Sequence, residues 1–517
     1  MKNKIKVRTP CILMILDGWG IAPPSRGNAV TLAKTPVMDG LYKKYPHTLL
    51  CASGRCAGLP PKQDGNSEAG HMNIGAGRLV EQDSVRISKG INDGTFSKNA
   101  AFEEAFAHVK RNDSSLHLMG LLSEEQSAHA DPDHLLALLT LIRLKNVKKV
   151  FLHLFTDGRD SGKYIAVRLV ENLKKVLRDN EKIATICGRY YAMDRIKEWS
   201  RTKKAYDTIV LGKASCRAPT AEAAVIKGYN RGEDDEFLSP TVIANDNKQV
   251  GKVNHSDAVI FFNLRSDRVR QLAKAFVQDD KTFIGFNRGK TLNDIRFITL
   301  TDFGPDLSGV LSAYPSVILK NTLPFVLRKY RQLYIAESEK FAHVTYFFNG
   351  GYASPVAGEE RVMIKSPNVS SYADVPRMQA KKVTDIIIHG LQKDKYDVIV
   401  VNFANPDMVG HTGNLKAGIK AVEFIDRCVG LVVKAALKKN GLVFITADHG
   451  NIEEMINLKT GEIDTAHSTY PVPFIIVKKS IRKIKLKKGK LADIAPTIIN
   501  FLKLEKQPDM KGKVLCQ

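Results

Sequence analysis

Carboxylates follow three apolar segments of this chain at the point where each segment ends. CILMIL runs into Asp17, VIVVNFANP into Asp407 and LVFITA into Asp448. Such runs are typical of buried strands, and open α/β sheets bind their ligands at the carboxyl ends of parallel strands. A single aspartate after a strand is more often a turn former or a helix cap. Three of them, two accompanied by histidine, indicate a site.

The accompanying histidines point to metal binding. His411 lies four residues after Asp407, so one helical turn could direct both side chains at one ion. His449 directly follows the third aspartate, and His467 comes shortly afterwards in DTAHST. Imidazole and carboxylate without thiolate suit Mn²⁺ or Zn²⁺. With the first aspartate the ligands exceed one tetrahedral shell, so the sequence predicts two metal ions rather than one.

Ser67 is the candidate nucleophile. It lies in DGNSEAGHMNIGAGR, among glycine and asparagine and just before helix-forming sequence, where it can sit on a tight turn near backbone N–H groups. Metal coordination would lower the pKa of its hydroxyl and make an alkoxide available at neutral pH. Taken alone, the motif also fits an ordinary glycine-rich turn with Ser67 as a helix N-cap. The metal-ligand candidates elsewhere favour the nucleophile.

Arginine recurs near the strand ends in the middle of the chain. VFLHLFT ends in DGRD, AVIFFN ends in LRSDR, and GRYYAMDR lies between them. Guanidinium groups suit bidentate contact with phosphate or carboxylate. The sequence therefore predicts a second domain that binds an anion. Its candidate residues are Arg159, Arg189, Arg195, Arg265 and Arg268.

The elements that must position these residues alternate along the chain. Short β-rich apolar runs alternate with amphipathic stretches, which predicts parallel sheets covered by helices. Helices are predicted over residues 133–145, 163–178, 418–438 and 491–504. Basic and apolar residues alternate within the lysine-rich segment 478–490, which predicts an exposed edge strand guarded by lysines.

Composition excludes some classes of protein and leaves others open. A chain of 517 residues with 44% hydrophobic content predicts two to four globular domains. No apolar stretch approaches the ~20 residues of a membrane span, so neither membrane insertion nor secretion is expected. Seven cysteines without a C-x-x-C pair argue against a disulfide framework and fit a cytoplasmic protein. The net charge of +24 fits an anionic partner or a solvated surface.

Taken together, the motifs resemble those of the cofactor-independent (2,3-bisphosphoglycerate-independent) phosphoglycerate mutases of the alkaline phosphatase superfamily. The similarity extends over nearly the whole chain. The matching segments are LDGWG, DGNSEAGHMNIGAGR, DGRD, GRYYAMDR, FFNLRSDR, ESEKFAHVTYFFNGG, NPDMVGHTGN, TADHGN, AHSTYPVPF and DIAPTI.

The resemblance implies an α/β phosphatase domain of residues 1–81 and 316–517, split in sequence around an inserted α/β transferase domain of residues 82–315. It also implies two Mn²⁺ ions per chain. One would be held by Asp407, His411 and His467, and the other by Asp17, Ser67, Asp448 and His449.

The implied reaction interconverts 3-phosphoglycerate and 2-phosphoglycerate in glycolysis and gluconeogenesis, without 2,3-bisphosphoglycerate. Ser67 would carry the phosphoryl group, and Lys340 beside it would neutralise phosphate charge. The five arginines, His129, Asp160 and Lys340 would bind the substrate. Asp160 is the candidate acid/base on the glycerate hydroxyls, or else a structural partner of an arginine. The resemblance implies a monomer that acts on a small molecule, with neither nucleic acid nor membrane as partner.

One segment departs from the family pattern. GLLSEEQSAHADPDH lacks the usual Gly-Gly turn and is one residue longer; His129 matches the first of two expected histidines, and Asp131 stands in place of the second. Poorly held glycerate would let water reach a phosphoserine. A metal-dependent phosphatase or another phosphomutase of the superfamily is therefore the alternative function. A nucleic-acid-binding protein is a remote alternative that rests on the charge alone.

Overall fold

The computed structural model describes residues 9–124, 127–245, 248–289, 291–304, 306–481 and 484–516. The chain divides into two compact units. The split unit consists of the separated segments Met1–Gln82 and Val317–Gln517, and the inserted unit is Asp83–Ser316. Each unit contains one large sheet with helices. The predicted fold class, α/β with one domain split in sequence around another, is confirmed.

The strands of the described residues are β1 (Cys11–Leu16), β2 (His47–Cys51), β3 (Leu116–Leu122), β4 (Val150–Thr156), β5 (Glu181–Gly188), β6 (Cys216–Ala218), β7 (Thr241–Asn245), β8 (Lys248–Gln249), β9 (Ala258–Phe261), β10 (Arg296–Thr301), β11 (Leu311–Tyr314), β12 (Gln332–Glu337), β13 (Glu360–Ile364), β14 (Val398–Phe403), β15 (Leu442–Thr446), β16 (Val472–Val477) and β17 (Gly489–Lys490).

The α-helices of the same residues are α1 (Ala29–Leu32), α2 (Pro36–Lys44), α3 (Ser67–Ala76), α4 (Asp83–Asp93), α5 (Ala100–Arg111), α6 (Pro132–Leu144), α7 (Ala166–Val176), α8 (Arg189–Ala192), α9 (Trp199–Tyr206), α10 (Ala221–Asn230), α11 (Arg270–Val277), α12 (Leu323–Val326), α13 (Ala380–Gln392), α14 (Asn405–Gly410), α15 (Leu415–Lys438) and α16 (Ile494–Phe501).

In the split unit the strand order is β13-β12-β14-β1-β15-β16-β2-β17. The neighbours β12, β14, β1 and β15 are parallel to one another, while β16 is antiparallel to both of its neighbours. All six residues of β1 are buried and apolar, as expected of a strand covered on both faces. Parallel strands end at the same edge of a sheet, so the residues that follow these four strands are brought together.

In the inserted unit the strand order is β11-β10-β9-β3-β4-β5-β7-β6, with β8 paired to β7. The neighbours β9, β3, β4 and β5 are parallel. Leu118 and Met119 of β3 belong to two different apolar clusters, because successive side chains of a strand point to opposite faces. Both faces of this sheet are therefore covered by core.

The four predicted helices are confirmed, with ends shifted by a few residues. They correspond to α6, α7, α15 and, for the last, a short 3₁₀ turn Leu491–Asp493 followed by α16. The predicted edge strand over 478–490 is wrong in extent. Among its described residues only β17 is a strand, and it does lie at the sheet edge. The segment before it pairs with the C-terminus instead, since Lys487 N–H donates to the Leu515 carbonyl at 2.9 Å.

No disulfide framework was expected, and one pair of cysteines departs from that expectation. Cys51 and Cys56 are joined, with their Cα atoms 5.9 Å apart. The short 3₁₀ turn Gly54–Ala57 folds the chain back after β2, which brings the two side chains together. Among the described residues no helix combines the length and apolarity that crossing a membrane requires.

Candidate active site

The carboxyl edge of the split-unit sheet gathers the predicted acidic residues. Asp17 follows β1, Asp407 lies in α14 just beyond β14, and Asp448 lies two residues after β15. Lys340 ends the 3₁₀ turn Ser338–Lys340 that continues from β12. The side chains of all four residues are buried. The three aspartates predicted from the strand ends therefore lie in one cluster.

Ser67 is the first residue of α3 and lies inside this cluster. The preceding Asn66 is the helix cap, since its side chain accepts from Ala69 N–H at 2.9 Å, so the N-cap interpretation of Ser67 is wrong. Ser67 Oγ lies 2.5 Å from Lys340 Nζ and 2.9 Å from His449 Nε2. The hydroxyl therefore faces charged side chains, as a nucleophile for phosphate would.

Lys340 is held among carboxylates. Its Nζ lies 2.7 Å from Asp17 Oδ1 and 2.7 Å from Asp407 Oδ2. Burial works to lower the pKa of Lys340, but Asp17, Asp407 and Asp448 raise it above its ordinary value. Burial likewise works to raise the pKa of Asp407, yet Lys340 and His411 hold it well below its ordinary value. The ammonium and the carboxylates therefore stabilise one another's charged forms.

The three predicted histidine ligands share one orientation. In each, Nδ1 contacts a backbone carbonyl: Thr465 at 2.7 Å for His411, Gly65 at 2.8 Å for His467 and Gly450 at 3.2 Å for His449. A carbonyl can only accept, so Nδ1 carries the hydrogen. Nε2 of each ring therefore faces the cluster. His411 Nε2 lies 3.3 Å and His467 Nε2 lies 3.2 Å from Asp407 Oδ1. Such an outer hydrogen bond is the usual arrangement of metal-binding histidines.

The cluster fits divalent cations. Three overlapping groups of potential ligand atoms each lie within 4.8 Å of one another: Asp407 with His411 and His467, Asp17 with Asp407 and His449, and Asp17 with His71 and Asp448. Asp448 Oδ2 is buried, and its contact with His71 Nδ1 at 3.1 Å is not a well-directed hydrogen bond, so a cation would satisfy it. Carboxylate, imidazole and hydroxyl donors suit such an ion. All seven predicted ligands lie in or against this cluster.

Sequence reasoning missed three residues that contact the predicted ligands. His71 Nδ1 lies 3.1 Å from Asp448 Oδ2, Asn402 Nδ2 donates to Asp17, and Asn451 Nδ2 donates to Asp407 Oδ1 at 2.9 Å. His71 lies one helical turn after the serine of α3, and Asn402 interrupts the apolar strand VIVVNF. These two sequence positions could have identified His71 and Asn402 as residues of the site.

The inserted unit has a basic cavity at the carboxyl ends of its parallel strands. The cavity has a volume of about 230 Å³. Four of the five predicted arginines line it, together with Tyr190 and Arg201, which the sequence analysis did not select; the four are Arg159, Arg189, Arg195 and Arg268. Burial, then the neighbouring Arg195 and Arg189, lower the pKa of Arg268 to about 10. An anion in the cavity would relieve this repulsion.

The other predicted substrate residues do not line this cavity. His129 is 5% exposed, and its carbonyl accepts from Leu264 N–H at 2.8 Å. Burial, then Arg189 and Arg265, lower the pKa of His129 to about 3, so the ring is neutral at physiological pH. Arg265 Nε lies 3.9 Å from the carboxylate of Asp267.

Asp160 is a partner of Arg189. Its Oδ1 lies 3.2 Å from Arg189 Nη1, and its Oδ2 accepts from Ser127 Oγ at 2.7 Å. Asp157, which the sequence analysis left unassigned, binds the same guanidinium at 2.5 Å. It also accepts from Asp160 N–H at 3.0 Å and from Ser123 Oγ. Asp157 follows β4 directly, so the strand-end argument could have selected it.

Comparisons with known proteins agree with this fold. A family model described as Metalloenzyme superfamily matches residues 9–506, which places the chain in that class of enzymes. The 2,3-bisphosphoglycerate-independent phosphoglycerate mutase of Clostridium botulinum (strain ATCC 19397 / Type A) is 48% identical over 514 residues, 99% of this chain and 100% of that protein. The 2,3-bisphosphoglycerate-independent phosphoglycerate mutase 1 of Methanosarcina acetivorans is 49% identical over 515 residues, 99% of each chain.

A solved structure is similar over the same extent. Leishmania mexicana phosphoglycerate mutase, crystallised at low cobalt concentration, superposes with a TM-score of 0.80 at 28% identity. The match covers 99% of this chain and 98% of that one. The chain belongs to the 2,3-bisphosphoglycerate-independent phosphoglycerate mutase family, which confirms the resemblance found in the sequence.

Proposed function

We propose that the chain interconverts 3-phosphoglycerate and 2-phosphoglycerate through a phosphoserine at Ser67, without 2,3-bisphosphoglycerate, in glycolysis and gluconeogenesis. The observation that carries this proposal is the position of the Ser67 hydroxyl, between Lys340 Nζ at 2.5 Å and His449 Nε2 at 2.9 Å. Ser67 also begins the ten-residue helix α3, whose N-terminus favours an added phosphate.

Two Mn²⁺ ions are proposed as the cofactors. Asp407, His411 and His467 would hold one, and Asp17, Ser67, Asp448 and His449 the other. When bound, the ions would lower the pKa of the Ser67 hydroxyl and offset charge on the phosphoryl oxygens. Supporting this assignment, the three histidines present Nε2 to the cluster while Nδ1 is fixed by backbone carbonyls.

Within the split unit, Lys340 would contribute to phosphoryl transfer directly. Its ammonium group is already 2.5 Å from the attacking oxygen, so it would contact an oxygen of the transferring phosphoryl group. A fixed positive charge at that point stabilises the spread negative charge of the transition state. It would act in both directions, since the phosphoryl group returns from Ser67 to the glycerate.

Within the inserted unit, the arginine cavity would bind the phosphoglycerate. Arg159, Arg189, Arg195 and Arg268 supply the guanidinium groups, with Arg265 and His129 beside them. For Asp160, the contact with Arg189 supports the structural role over proton transfer. Asp160 would then fix the guanidinium that grips the substrate.

The test is to incubate the purified protein with 3-phosphoglycerate and Mn²⁺, without 2,3-bisphosphoglycerate, and to follow products by ³¹P NMR. We expect 2-phosphoglycerate to form, and Ser67→Ala to stop its formation while the protein stays folded. Ser366→Ala, which alters another buried serine of the split unit, is the matched control. Absence of 2-phosphoglycerate with filled metal sites would reject the proposal.

The same experiment distinguishes the mutase from the alternative function, a metal-dependent phosphatase. The segment around His129 departs from the family pattern, and a phosphatase would release inorganic phosphate instead of the second isomer. Phosphate release that outpaces isomer formation would favour that activity. We further propose a monomeric enzyme of the cytoplasm, on the ground of its glycolytic family.

A further inference from the structure

Asn402 is a buried amide in an otherwise apolar strand. It lies in β14 and is fully shielded from solvent. In the parallel register it faces Ile15 of β1, two residues before Asp17. Burying an amide costs free energy unless it is hydrogen-bonded. The partners of this side chain therefore show what holds it there.

Both amide hydrogens of Asn402 have partners in the active site. Nδ2 donates to Asp17 Oδ2 at 2.6 Å and lies 3.0 Å from His71 Nε2. His71 Nδ1 donates to the Ser67 carbonyl at 2.9 Å, which leaves His71 Nε2 as the acceptor for the second amide hydrogen. The orientation of the imidazole is thus fixed at both nitrogens.

These contacts decide which carboxylate oxygens face the nucleophile. Because Asp17 Oδ2 is taken by Asn402, Asp17 Oδ1 is the atom that lies 3.2 Å from Ser67 Oγ and 2.7 Å from Lys340 Nζ. On the other side, His71 Nδ1 lies 3.1 Å from Asp448 Oδ2, so the same imidazole also contacts that buried carboxylate.

We propose that Asn402 is a positioning residue of the metal centre, which holds Asp17 directly and Asp448 through His71. The inference rests on the proposed assignment of Asp17 and Asp448 as ligands of the same ion. Neither Asn402 nor His71 is needed as a ligand in that assignment. Their role is to keep two like-charged carboxylates in one orientation, since outer hydrogen bonds of this kind fix ligand geometry.

The test compares Mn²⁺ binding to Asn402→Leu and to the unaltered protein, by isothermal titration calorimetry and by metal content after equilibrium dialysis. We expect the affinity for one of the two ions to fall about 10- to 100-fold, with two ions still bound at saturation. The Mn²⁺ concentration for half-maximal activity should rise by a similar factor, and kcat should recover at saturating metal. Should Asn402→Leu not fold, Asn402→Ser serves the same test.

Gln332→Met is the matched control. Gln332 is also a buried amide, at the first residue of β12 and therefore at the opposite edge of the same sheet. Its Nε2 donates to the carbonyls of Pro324 and Leu327, both at 3.1 Å. The control should lose stability in the same way and leave both Mn²⁺ affinities unchanged. A purely structural role for Asn402 would give the two variants the same result.

Asp17→Asn separates failure of this proposal from failure of the ligand assignment. If Asp17→Asn weakens one site and Asn402→Leu does not, the positioning role is rejected. If neither weakens a site, the ligand assignment is wrong, and the positioning role with it. His71→Asn keeps a donor near the position of Nδ1, so it should lose less affinity than His71→Phe. Equal losses would reject the path through His71.

Discussion

Lys340 and Ser67 come from opposite sides of the inserted unit in sequence, yet Lys340 Nζ lies 2.5 Å from Ser67 Oγ. The same ammonium group contacts carboxylates that follow two different strands, Asp17 after β1 and Asp407 after β14. The Lys340 ammonium group therefore contacts the nucleophile and one carboxylate from each of the two proposed ligand sets. This makes Lys340 both a catalytic candidate and a counter-charge for the buried acids.

Lys340→Met should separate these two contributions. We expect kcat to fall about 10³-fold, because a fixed positive charge at the transferring phosphoryl group is lost. The melting temperature should also fall, and more in EDTA than in Mn²⁺, since the buried carboxylates then keep no compensating cation. Steady-state kinetics and thermal unfolding measure the two effects. Lys439→Met, which removes a surface contact with Asp394, is the control; an unchanged kcat in Lys340→Met would contradict the role.

Metal removal should occur in two phases. The side chains of His411 and His467 are 41% and 21% exposed, whereas those of Asp448 and His449 are fully buried. A chelator should therefore remove the ion held by Asp407, His411 and His467 sooner than the other ion. Activity should be lost in this first phase. Stopped-flow chelation with a metal indicator measures both rates. Release of the two ions at one rate would contradict the proposed ligand sets.

Asp157→Asn should weaken substrate binding more than turnover. The carboxylate of Asp157 binds the Arg189 guanidinium at 2.5 Å and the Asp160 N–H at 3.0 Å, so it shapes the arginine cavity without lining it. We expect KM for 3-phosphoglycerate to rise about 10-fold, with a smaller change in kcat. The surface variant Asp113→Asn of the same unit should leave KM unchanged. A fall in kcat at constant KM would show that Asp157 acts on the chemical step instead.

Glu337→Gln should change the pH dependence of stability. Burial, with a contribution from Glu339, raises the pKa of Glu337 from 4.5 to about 7. Between these values the unfolded chain releases the proton while the folded protein keeps it, so the free energy of unfolding falls as pH rises from 4.5 to 7. The total loss is about 3 kcal/mol, at about 1.4 kcal/mol per pH unit.

The glutamine variant lacks this loss. Its free energy of unfolding, relative to that of the unaltered protein, should therefore rise between pH 5 and pH 8. Urea unfolding at the two pH values, at constant ionic strength, measures the difference. Glu339 is an exposed neighbour of Glu337, so Glu339→Gln should show little of this pH-dependent change in relative stability. A stability difference between Glu337→Gln and the unaltered protein that is the same at both pH values would contradict the raised pKa.

Most of the candidate metal site could be predicted because its residues end apolar strands. Asp17, Asp407 and Asp448 follow strands that are neighbours in one sheet, so local sequence already placed them at one edge. Asn402 could not be assigned in this way, because its partners Asp17 and His71 lie more than 300 positions away. A buried polar residue in a strand is visible in the sequence, but its hydrogen-bond partners are set by long-range packing.

Other differences have the same physical origin. Arg189 lines the cavity as expected of a substrate-binding arginine, but its contacts with Asp157 and Asp160 could not be predicted, because only the fold brings the ends of β4 and β5 together. The Cys51–Cys56 pair depends on a local turn, which counting cysteines does not reveal. The lysine-rich segment 478–490 has the alternation of a strand, but most of its described residues are not in the sheet.

The division of the split unit also determines the order in which a ribosome could complete this enzyme. β1 pairs with β14 and β15, which are synthesised only after the whole of Asp83–Ser316. Domains fold as units during synthesis, so the inserted unit can fold while the N-terminal segment is still without its partner strands. Asp17 and Ser67 emerge before the inserted unit, but Lys340 and the proposed ligands His411, His449 and His467 emerge after it. A nascent chain that ends before these residues therefore carries the serine without the groups that would activate it, and its phosphoryl chemistry begins only after the chain has been translated beyond His467.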